Sequence, residues 1–441
     1  MRIVHPEKLK GKKIVVVVGG GFAGLNAAKV LADKPEVTVV LVDKRNHHLF
    51  QPLLYQVATA GLNPSDIAVP IRSQFSANKN IETHMGKIGR VNLLEKTISD
   101  PDDEFGQSEL QLEYDYLILA CGSSHSYFGR SDWEKFAPGL KTLEQATEIR
   151  RRILSVFEKA ENELDPMVRT ELLSFVVVGG GPTGVELAGA IAEISKQVLA
   201  HDFKQINPKE TKIILIEAGP RLLAQFSEDL SVIAAQNLYD LGVDVRVSTR
   251  VEDITSFGVR TQSAFINSKC VLWCAGVRAA KIEFDANLDR DRSGRIKVCP
   301  DLSIPGFPEA FVVGDMAFVE FGHGQILPGL APAAIQSGTY AAEKILASIR
   351  NQKKENFKYI DKGQMATIGK HFAVVQKGNI KISGMLAWLA WLFIHLLYLV
   401  GFKNRASVFF QWIWSYLFSK RGARLITEKD WRLKDYVPLF C

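Results

Sequence analysis

Two short glycine-rich stretches contain residues whose types and spacing suit nucleotide chemistry. In the first, Gly19, Gly21 and Gly24 form a GxGxxG pattern after four consecutive valines, and Asp43 follows nineteen residues after the last glycine. Glycines at this spacing let backbone N–H groups approach a pyrophosphate at a helix N-terminus, and an acid at about this distance accepts the ribose hydroxyls. The stretch therefore predicts one bound dinucleotide.

The same pattern occurs a second time, 160 residues further along the chain. Gly179, Gly181 and Gly184 again follow a run of valines, and Glu217 comes directly after the next apolar run. Two dinucleotide sites in one polypeptide imply that electrons pass between the two bound groups. A disulfide framework or a nucleophilic triad is not needed for such a reaction, because the cofactors carry the reactive groups themselves.

The elements that must position these residues are parallel strands and helices. In the first copy we expect a buried strand, a helix from about Phe22 to Asp33, and a second strand from Val37 to Val42. In the second copy we expect a longer helix, through about Gln197, before the strand that ends at Glu217. A further pair of similar segments, LILACG in the first copy and VLWCAG in the second, predicts a third strand near the end of each unit. The predicted fold class is therefore α/β, with two Rossmann-like dinucleotide-binding domains.

Two segments depart from the simple repeat. Residues 88–114 resemble a β-hairpin excursion whose turn is Asp100-Pro101-Asp102-Asp103. Later, the apolar run Ala310 to Val313 predicts a short buried strand that delivers Asp315 into a loop, and a helix from about Pro332 to Ile349 follows. These two elements would return the chain to its first domain, which would then be discontinuous.

Composition limits the other possibilities. A chain of 441 residues with 47% hydrophobic residues is long enough for two or three domains. Its five cysteines are odd in number and lack CxxC spacing, and its nine histidines are scattered, so neither a disulfide framework nor a metal site is predicted. Residues 49–62, where a disulfide reductase would carry its cysteine pair, contain no cysteine. The N-terminus is too short before the first strand to be a signal peptide, which favours a cytoplasmic location.

The C-terminal region is apolar, aromatic and basic. Residues 385–402 are nearly all apolar, and at ~1.5 Å per residue they would only marginally cross a ~30 Å hydrocarbon core. In the next segment Ser407, Gln411, Ser415 and Ser419 recur every fourth residue, which makes one polar stripe on a helix. The segment is flanked by five cations, Lys403, Arg405, Lys420, Arg421 and Arg424.

This pattern favours monotopic attachment to the headgroup boundary of an anionic membrane. A membrane span and a soluble or dimer-forming helix pair are the alternatives. A nucleic-acid site is disfavoured because the aromatic residues are contiguous rather than spaced between cations.

The motifs GGGFAG, YDYLILACG, VVVGGGPTGVELAG, LIEAGPRLL, VLWCAGVRA and VVGDMA, in this order, resemble a two-dinucleotide-binding-domain flavoprotein. With LPGLAPAAIQSG and the aromatic C-terminus, the chain is similar to type II NADH dehydrogenase, the NADH:quinone oxidoreductase that does not pump protons. The resemblance implies FAD in the first domain (1–145 and 301–355), NADH in the second (146–300), and a membrane-association region (356–441). It departs from the family at Cys121, where a threonine is usual, and at Ala331-Pro332, where many members carry Ala-Gln.

The resemblance and the two glycine patterns together predict the residues that bind FAD and NADH. For FAD they are Gly19, Gly21, Phe22, Ala23, Gly24, Asp43, Lys44, Ala120, Gly122, Gly314 and Asp315. For NADH they are Gly179, Gly181, Pro182, Thr183, Gly184, Glu186, Glu217 and Gly276.

Two residues are expected to act in the reaction itself. Glu186 stands where the first copy has Asn26, and it would accept a hydrogen bond from the nicotinamide carboxamide or assist the proton balance. The resemblance implies that Gln336 bonds a quinone carbonyl, although a polar side chain that only caps a neighbouring element is the alternative. Because a carboxylate repels a 2′-phosphate, Glu217 favours NADH over NADPH, with Arg221 nearby as a counterargument.

The predicted reaction is hydride transfer from NADH to FAD followed by two-electron reduction of a membrane quinone. The resemblance implies a peripheral protein on the cytoplasmic side of the cell inner membrane, and a homodimer is possible. A sulfide:quinone oxidoreductase or another membrane-bound FAD-dependent pyridine nucleotide oxidoreductase is the alternative enzyme. A flavin-binding redox sensor is the alternative without catalysis.

Overall fold

The computed structural model of the protein describes residues 11–100, 111–322, 324–418 and 421–427. The helices in these ranges are α1 (Phe22–Leu31), α2 (Leu54–Ala58), α3 (Pro64–Ile67), α4 (Ile71–Gln74), α5 (Leu143–Asn162), α6 (Pro166–Leu172), α7 (Pro182–Glu193), α8 (Glu228–Asp240), α9 (Ala331–Ile349), α10 (Met385–Tyr398) and α11 (Phe402–Phe418).

The strands are β1 (Lys13–Val18), β2 (Val37–Asp43), β3 (His47–Leu49), β4 (Ala68–Pro70), β5 (Ile81–Met85), β6 (Arg90–Asn92), β7 (Thr97–Ser99), β8 (Gln111–Glu113), β9 (Tyr116–Leu119), β10 (Ser123–His125), β11 (Ser174–Val178), β12 (Lys212–Ile216), β13 (Val243–Arg246), β14 (Val251–Thr255), β15 (Gly258–Thr261), β16 (Phe265–Asn267), β17 (Cys270–Trp273), β18 (Val277–Ala279), β19 (Glu283–Phe284), β20 (Ile296–Lys297), β21 (Ser303–Ile304), β22 (Phe307–Val312), β23 (Ala317–Phe318), β24 (Glu320–Phe321), β25 (Gln325–Ile326), β26 (Gln364–Thr367), β27 (Ala373–Lys377) and β28 (Ile380–Gly384).

The chain divides into two compact units. The first comprises residues Met1–Leu49, Ala68–Ser126 and Val277–Lys362, and the second comprises Phe50–Ile67, Tyr127–Gly276 and Gly363–Cys441. Each unit is discontinuous, and the second includes the C-terminal helices. The boundaries of the FAD-binding, NADH-binding and membrane-association regions stay a prediction.

The first unit is built on a six-stranded sheet in the order β21-β22-β9-β1-β2-β5. All neighbours are parallel except β21 and β22. Val15, Val16 and Val17 of β1 are fully buried because helices and sheets cover both faces of this central strand. The parallel order brings the carboxyl ends of β1, β2, β9 and β22 to one edge of the sheet.

The second unit repeats this arrangement in a four-stranded parallel sheet, β13-β12-β11-β17. Val18 of β1 pairs with Val42 and Leu119, and Val178 of β11 pairs in the same way with Ile216 and Trp273. The second helix is longer, as expected, because α7 continues through a π-helical turn at Ile194–Val198. The predicted α/β class with two Rossmann-like sheets is confirmed.

Two predicted segments differ in detail. The hairpin excursion is a set of three short antiparallel strands, β6, β7 and β8, and its predicted turn lies outside the described residues apart from Asp100. The apolar run at 385–402 does not form one helix, because α10 ends at Tyr398 and α11 begins at Phe402. Of the helices in the described ranges, none combines the length and the apolar character needed to cross a bilayer.

Candidate functional site

The glycine loop of the first unit is shaped by contacts that a Cβ atom would prevent. Gly19 has φ +106°, and a Cβ added there would lie 2.3 Å from the carbonyl oxygen of Ala120. A Cβ at Gly24 would lie 1.8 Å from the oxygen of Gly19, which shows how closely α1 packs on the loop. At Gly21, by contrast, a Cβ would meet no atom within 4 Å. The loop is therefore tight on its inner side and open on the side where a ligand would lie.

Asp43 braces this loop from the end of β2. Its Oδ2 accepts the N–H of Gly20 at 2.6 Å, and its Oδ1 accepts the N–H of Arg45 at 2.7 Å. A carboxylate has about four lone-pair positions, so both oxygens can still accept ribose hydroxyls. The lysine that follows, Lys44, is exposed.

The other residues predicted for the first cofactor converge on the same sheet edge. Ala120 and Gly122 follow β9, and Gly314 and Asp315 follow β22 in a 3₁₀ turn. The hydroxyl of Ser123 donates to Asp315 Oδ2 at 2.6 Å. A Cβ at Gly314 would lie 3.4 Å from the Cβ of Ala23 at the start of α1.

His48 also supports the loop. Its Nδ1 lies 2.9 Å from the oxygen of Gly20, and its ring meets the edge of Phe22 at a centroid distance of 5.2 Å. Burial lowers the pKa of His48 to about 4, so the ring is neutral at physiological pH. The adjacent pair His47-His48 has no ligand spacing, and sequence reasoning therefore missed this supporting role.

The loop of the second unit reproduces the first. Gly179 has φ +110° and lies against the backbone of Ala275, a Cβ at Gly184 would lie 1.8 Å from the oxygen of Gly179, and Gly181 is open. Glu217 accepts the N–H of Gly180 and that of Gly219, each at 2.6 Å. The next two positions, Pro182 and Thr183, begin α7.

Neither dinucleotide helix has a side chain capping its first turn. The N-cap residues of α1 and α7 are Gly21 and Gly181, and no side-chain cap forms at either within the described residues. Uncapped N–H groups at a helix N-terminus are a ready site for an anion such as a pyrophosphate. Both loops therefore fit the phosphates of a dinucleotide.

Arg221, the counterargument to NADH preference, is held by its own loop. Its guanidinium donates to the carbonyl oxygens of Phe226 at 2.7 Å and Ala224 at 2.9 Å, and to the hydroxyl of Ser231 at 2.7 Å. These bonds use three of the five guanidinium N–H donors and fix the side chain on its own loop.

A cavity of about 540 Å³ lies within the second unit. Most of its wall comes from the apolar residues of α10 and α11, and the remainder comes from α2, α7 and the segment around β26. Its residues include Tyr55, Gln56, Thr59, Glu186, Ala190, Glu193, Thr367, Gly369, Lys370, Trp388, Leu389, Trp391, Leu392, Phe393, Leu396, Phe409, Trp412, Ile413, Tyr416, Leu417 and Arg421.

Glu186 is the acid at one wall of this cavity. Burial raises the pKa of its carboxyl to about 8, and the N–H of Thr367, 3.5 Å from Oε1, opposes the shift only weakly. The hydroxyl of Tyr55 lies 3.1 Å from Thr367 Oγ1 and accepts a hydrogen bond from Nε2 of Gln56 at 3.1 Å. The carboxyl of Glu186 and the phenol of Tyr55 thus line a space whose opposite wall is formed by apolar residues of α10 and α11.

Gln336 occupies a different place. It lies on α9 in the first unit, where its Nε2 donates to the oxygen of Ile360 at 3.0 Å and its Oε1 accepts the N–H of Ile360 at 2.9 Å. The side chain thus holds a neighbouring backbone segment, and the second hydrogen of Nε2 remains as a further donor. Its role at a quinone stays a prediction.

The cysteines near the two loops are not poised for redox chemistry. Burial raises the pKa of Cys121 and of Cys274 to about 12, so both remain thiols at neutral pH. Cys121, which replaces the usual threonine, points its Sγ at the oxygen of Val18 at 3.5 Å.

The cavity is the part of the site that sequence reasoning did not find. Tyr55, Glu193, Thr367 and Arg421 come from widely separated positions, and no fixed spacing connects them. Residues 385–418 indicated an apolar helical surface, but the sequence did not predict that it would enclose a space with Glu186.

Comparison with known protein families matches almost the whole chain. Residues 13–338 match the pyridine nucleotide-disulphide oxidoreductase family, and residues 362–421 match the NDH2 C-terminal domain. A type II NADH:quinone oxidoreductase of Mycobacterium tuberculosis is 41% identical over 428 residues, which cover 94% of this chain and 90% of that protein. A second one from the same organism is 39% identical, over 96% and 92% of the two chains.

Solved structures agree on the fold. NDH2 from Plasmodium falciparum, in complex with NADH, superposes with a TM-score of 0.84 at 21% identity and covers 95% of this chain and 100% of that one. The sulfide:quinone oxidoreductase of Aquifex aeolicus superposes with a TM-score of 0.71 at 18% identity, covering 92% and 95%. The family matches and the identity to the mycobacterial relatives, taken with the two glycine loops, show that this chain belongs to the type II NADH:quinone oxidoreductases, within the pyridine nucleotide-disulphide oxidoreductase family.

Proposed function

We propose that this protein is an FAD-dependent enzyme that oxidises NADH and reduces a quinone without pumping protons. The observation that carries the proposal is the combination of two duplicated dinucleotide loops with a cavity that is largely apolar and whose wall includes the carboxyl of Glu186. A sulfide:quinone oxidoreductase is disfavoured, because Cys121 and Cys274 are half-buried thiols with raised pKa values and the second loop has an intact acid at Glu217.

FAD fits the loop of the first unit. The uncapped N–H groups of α1 would hold the pyrophosphate beside Gly21, and Asp43 would bind the adenosine ribose. Gly122, Gly314 and Asp315 lie on the same sheet edge, where Asp315 would bind the ribityl or phosphate region. When bound, FAD supplies the two-electron carrier between NADH and the quinone.

NADH fits the loop of the second unit. The N-terminus of α7 would hold its pyrophosphate beside Gly181 and Thr183, and Glu217 would bind the ribose hydroxyls. We expect NADH to be used in preference to NADPH, because the carboxylate of Glu217 repels a 2′-phosphate and the guanidinium of Arg221 is already bonded to its own loop.

The quinone would occupy the apolar cavity. Its walls suit an apolar tail, and the acid of Glu186 with the hydroxyl of Tyr55 suits a carbonyl-bearing ring. The overall reaction consumes one proton beyond the transferred hydride. Glu186, whose pKa is raised to about 8 by burial, holds a proton at neutral pH and would donate it to the quinone oxygen.

Gln336 is proposed as an additional quinone contact through the second hydrogen of its Nε2. Gln336→Ala would then lower quinone reduction while NADH still reduces the bound flavin at the wild-type rate. If Gln336 only holds Ile360 in place, Gln336→Ala should lower the melting temperature and leave quinone reduction by the folded protein at the wild-type rate.

The surface formed by α10 and α11 is proposed to attach to a membrane. Leu386, Phe393, Phe402, Phe410 and Leu417 are each more than half exposed, from 64% to 86%. Exposed apolar surface on this scale is costly in water and is typical of a binding surface.

Two residues of the polar stripe, Ser407 and Gln411, point inward, and Ser419 lies outside the described residues. Ser407 donates to Asp66 Oδ1 at 2.9 Å and Gln411 donates to Asp66 Oδ2 at 3.0 Å. The carboxylate of Asp66 also accepts the N–H of Asn63 at 2.7 Å. An aromatic face outside and a polar face inside favour the lipid boundary over water as the surroundings of α11.

Fewer of the five cations that flank α11 face outward than the sequence predicted. Arg421 and Arg424 form ion pairs with Glu193 and Asp202, whereas Arg405 is exposed and keeps its charge while it donates to the carbonyl oxygens of Leu397 and Leu399. Lys403 is exposed, and Lys420 lies outside the described residues. We propose peripheral attachment at the cytoplasmic face of the inner membrane, driven mainly by apolar contact. Binding to uncharged and anionic vesicles should then differ by less than tenfold, which a flotation assay measures.

We also propose a homodimer, and the mass of the purified protein in detergent tests it.

The function itself is tested by one anaerobic experiment. The yellow protein should bleach when NADH is added and regain its colour when decylubiquinone follows. A protein that stays colourless after reconstitution with FAD would contradict the proposal.

A further inference from the structure

Residues 421–427, which follow α11, are held to the rest of the second unit by one buried guanidinium. Arg421 Nη2 lies 2.9 Å from Glu193 Oε2, and Nη1 donates to the carbonyl oxygen of Thr59 at 2.7 Å. The side chains of Arg421 and Glu193 are each only 6% exposed. The sequence placed Arg421 among the membrane-flanking cations, but it lies inside the protein.

These contacts connect three walls of the cavity. Glu193 is the last residue of α7, two turns beyond Glu186, and both line the cavity. Thr59 is the C-cap of α2, the helix that carries Tyr55. Arg421 follows α11 and lines the same cavity. A single planar guanidinium therefore joins α7, α2 and the end of α11.

Weaker contacts hold the same end of the chain. Lys370 Nζ donates to the carbonyl oxygen of Ser415 at 3.0 Å, and Arg150 Nη1 donates to that of Ala423 at 3.3 Å. Arg424 pairs with Asp202 where both side chains are partly exposed, at 32% and 43%. An exposed pair contributes little, whereas a buried pair that loses one partner leaves an uncompensated charge in an apolar wall. Further along the helix, Ser407 and Gln411 bond to Asp66 and Trp412 bonds to Gln56. At the end of α11, the Arg421 contacts include the buried ion pair, so their loss should have the largest local effect there.

We propose that Arg421 is a positioning residue for quinone binding: it holds the end of α11 against α7 and α2, and so keeps these walls of the cavity together around the quinone. This inference rests on the proposed function, since it assumes that the cavity is where the quinone binds. Neither glycine loop touches Arg421 in the contacts of the described residues, so NADH oxidation with a soluble acceptor does not depend on it.

The test compares kinetic constants for decylubiquinone in Arg421→Met, in Arg421→Lys and in the control Arg424→Met. Arg421→Met should raise the KM for the quinone by about tenfold or more, because a cavity that opens loses a large part of its contacts. Its kcat at saturating quinone and its rate of NADH oxidation with ferricyanide should stay within about twofold of wild type. Arg424→Met should match wild type throughout.

Arg421→Lys gives a partial rescue and guards against misfolding of the methionine variant. A lysine can pair with Glu193, but a single ammonium does not reproduce the fork that also reaches Thr59. Its KM should lie between those of wild type and Arg421→Met. The double variant Glu193→Gln/Arg421→Met should regain melting temperature over Arg421→Met, because no unpaired charge remains, while its KM stays raised.

A wild-type KM in Arg421→Met would overturn the proposal, and so would a parallel loss of quinone and ferricyanide activity in both Arg421 variants. Leu392→Trp separates this failure from failure of the proposed function, because it fills the cavity without touching the ion pair. If Leu392→Trp raises the KM and Arg421→Met does not, only the positioning role is wrong. If Leu392→Trp leaves the KM unchanged, the quinone binds elsewhere and both proposals fail.

Discussion

The two dinucleotide loops have nearly identical backbones, but the helices that follow them have different surroundings. Residues 26 and 186 are equivalent by the offset of 160 residues. In α1, Asn26 turns back and donates to the oxygen of Phe22 in its own helix at 2.7 Å. In α7, the equivalent Glu186 faces the apolar cavity with a raised pKa.

The cause lies in what packs on each helix. Helix α9 covers α1 so closely that a Cβ at Gly338 would lie 2.2 Å from the oxygen of Ala23. On α7, Gly189 admits the backbone of Gly369, whose N would lie 2.8 Å from an added Cβ. The loop after β26 therefore lies against α7 and places Thr367 beside Glu186. The two phosphate loops are therefore alike, and only the second is followed by a helix that lines this cavity.

The largest expected effect comes from adding one methyl group to each loop in turn, because the two loops are expected to bind different nucleotides. Gly24→Ala and Gly184→Ala would each place a Cβ 1.8 Å from a carbonyl oxygen of the preceding loop, so the helix must move away. Gly24→Ala should lose most of its FAD, measured by the ratio of flavin to protein absorbance. Gly184→Ala should remain yellow and lose NADH oxidation. A Gly184→Ala protein that loses FAD instead would reverse the assignment of the two units.

The next effect concerns the acid that distinguishes the two helices. Glu186→Gln removes the proton donor and should lower quinone reduction by about 10²-fold, the lower range for general acid catalysis. Because the acid acts in its protonated form and its pKa is about 8, the wild-type rate should fall as pH rises through 8, while the variant should show no such limb.

Asn26→Ala is the matched control for Glu186→Gln, since it removes only a bond within α1. Its pH profile should be that of the wild type. A wild-type limb near pH 8 that persists in Glu186→Gln would assign the titration to another group.

The sequence predicted both loops well because their requirements are local. Glycines that avoid a clash, an acid at the end of the next strand and the strands themselves lie within short windows, so spacing alone identifies them. The cavity was not predicted because Tyr55, Glu186, Thr367 and Arg421 meet only through tertiary packing. The sequence predicted that Arg421 would contact a membrane and that the stripe at Ser407 and Gln411 would be exposed. Sequence periodicity shows that a helix has two faces, but it does not show which face is covered by the rest of the protein.

A smaller effect should distinguish the acids that brace the two loops. Glu217→Gln keeps one of the two bonds to Gly180 and Gly219, because an amide nitrogen cannot accept an N–H, and it removes the charge that repels a 2′-phosphate. The KM for NADH should rise by about tenfold, as expected for a lost charge-assisted hydrogen bond, and the preference over NADPH should narrow. The corresponding Asp43→Asn should weaken FAD retention and leave the choice between NADH and NADPH unchanged. Steady-state kinetics with both nucleotides, together with flavin content, measure the two effects.

The smallest effect concerns Gly122 and Gly276, equivalent glycines with different surroundings. In the first unit a Cβ at Gly122 would meet no atom within 4 Å, whereas at Gly276 it would lie 2.6 Å from Cζ of Phe128. Phe128 is 70% exposed, and its ring lies over Gly276. The ring also contacts Trp273 edge-on, with a centroid distance of 6.1 Å. An aromatic contact of this kind contributes about 0.5–1.5 kcal/mol, and NADH must displace the ring to approach Gly276.

Phe128→Ala should therefore lower the KM for NADH by a few-fold and leave FAD content unchanged, which makes the second loop as open as the first. Steady-state kinetics with ferricyanide as acceptor measure the change without involving the quinone. Phe128→Leu, which keeps a side chain over Gly276, should fall between the alanine variant and wild type. A rise in KM would mean that the ring packs on the bound nucleotide, and the covered loop would then bind NADH more tightly because of Phe128.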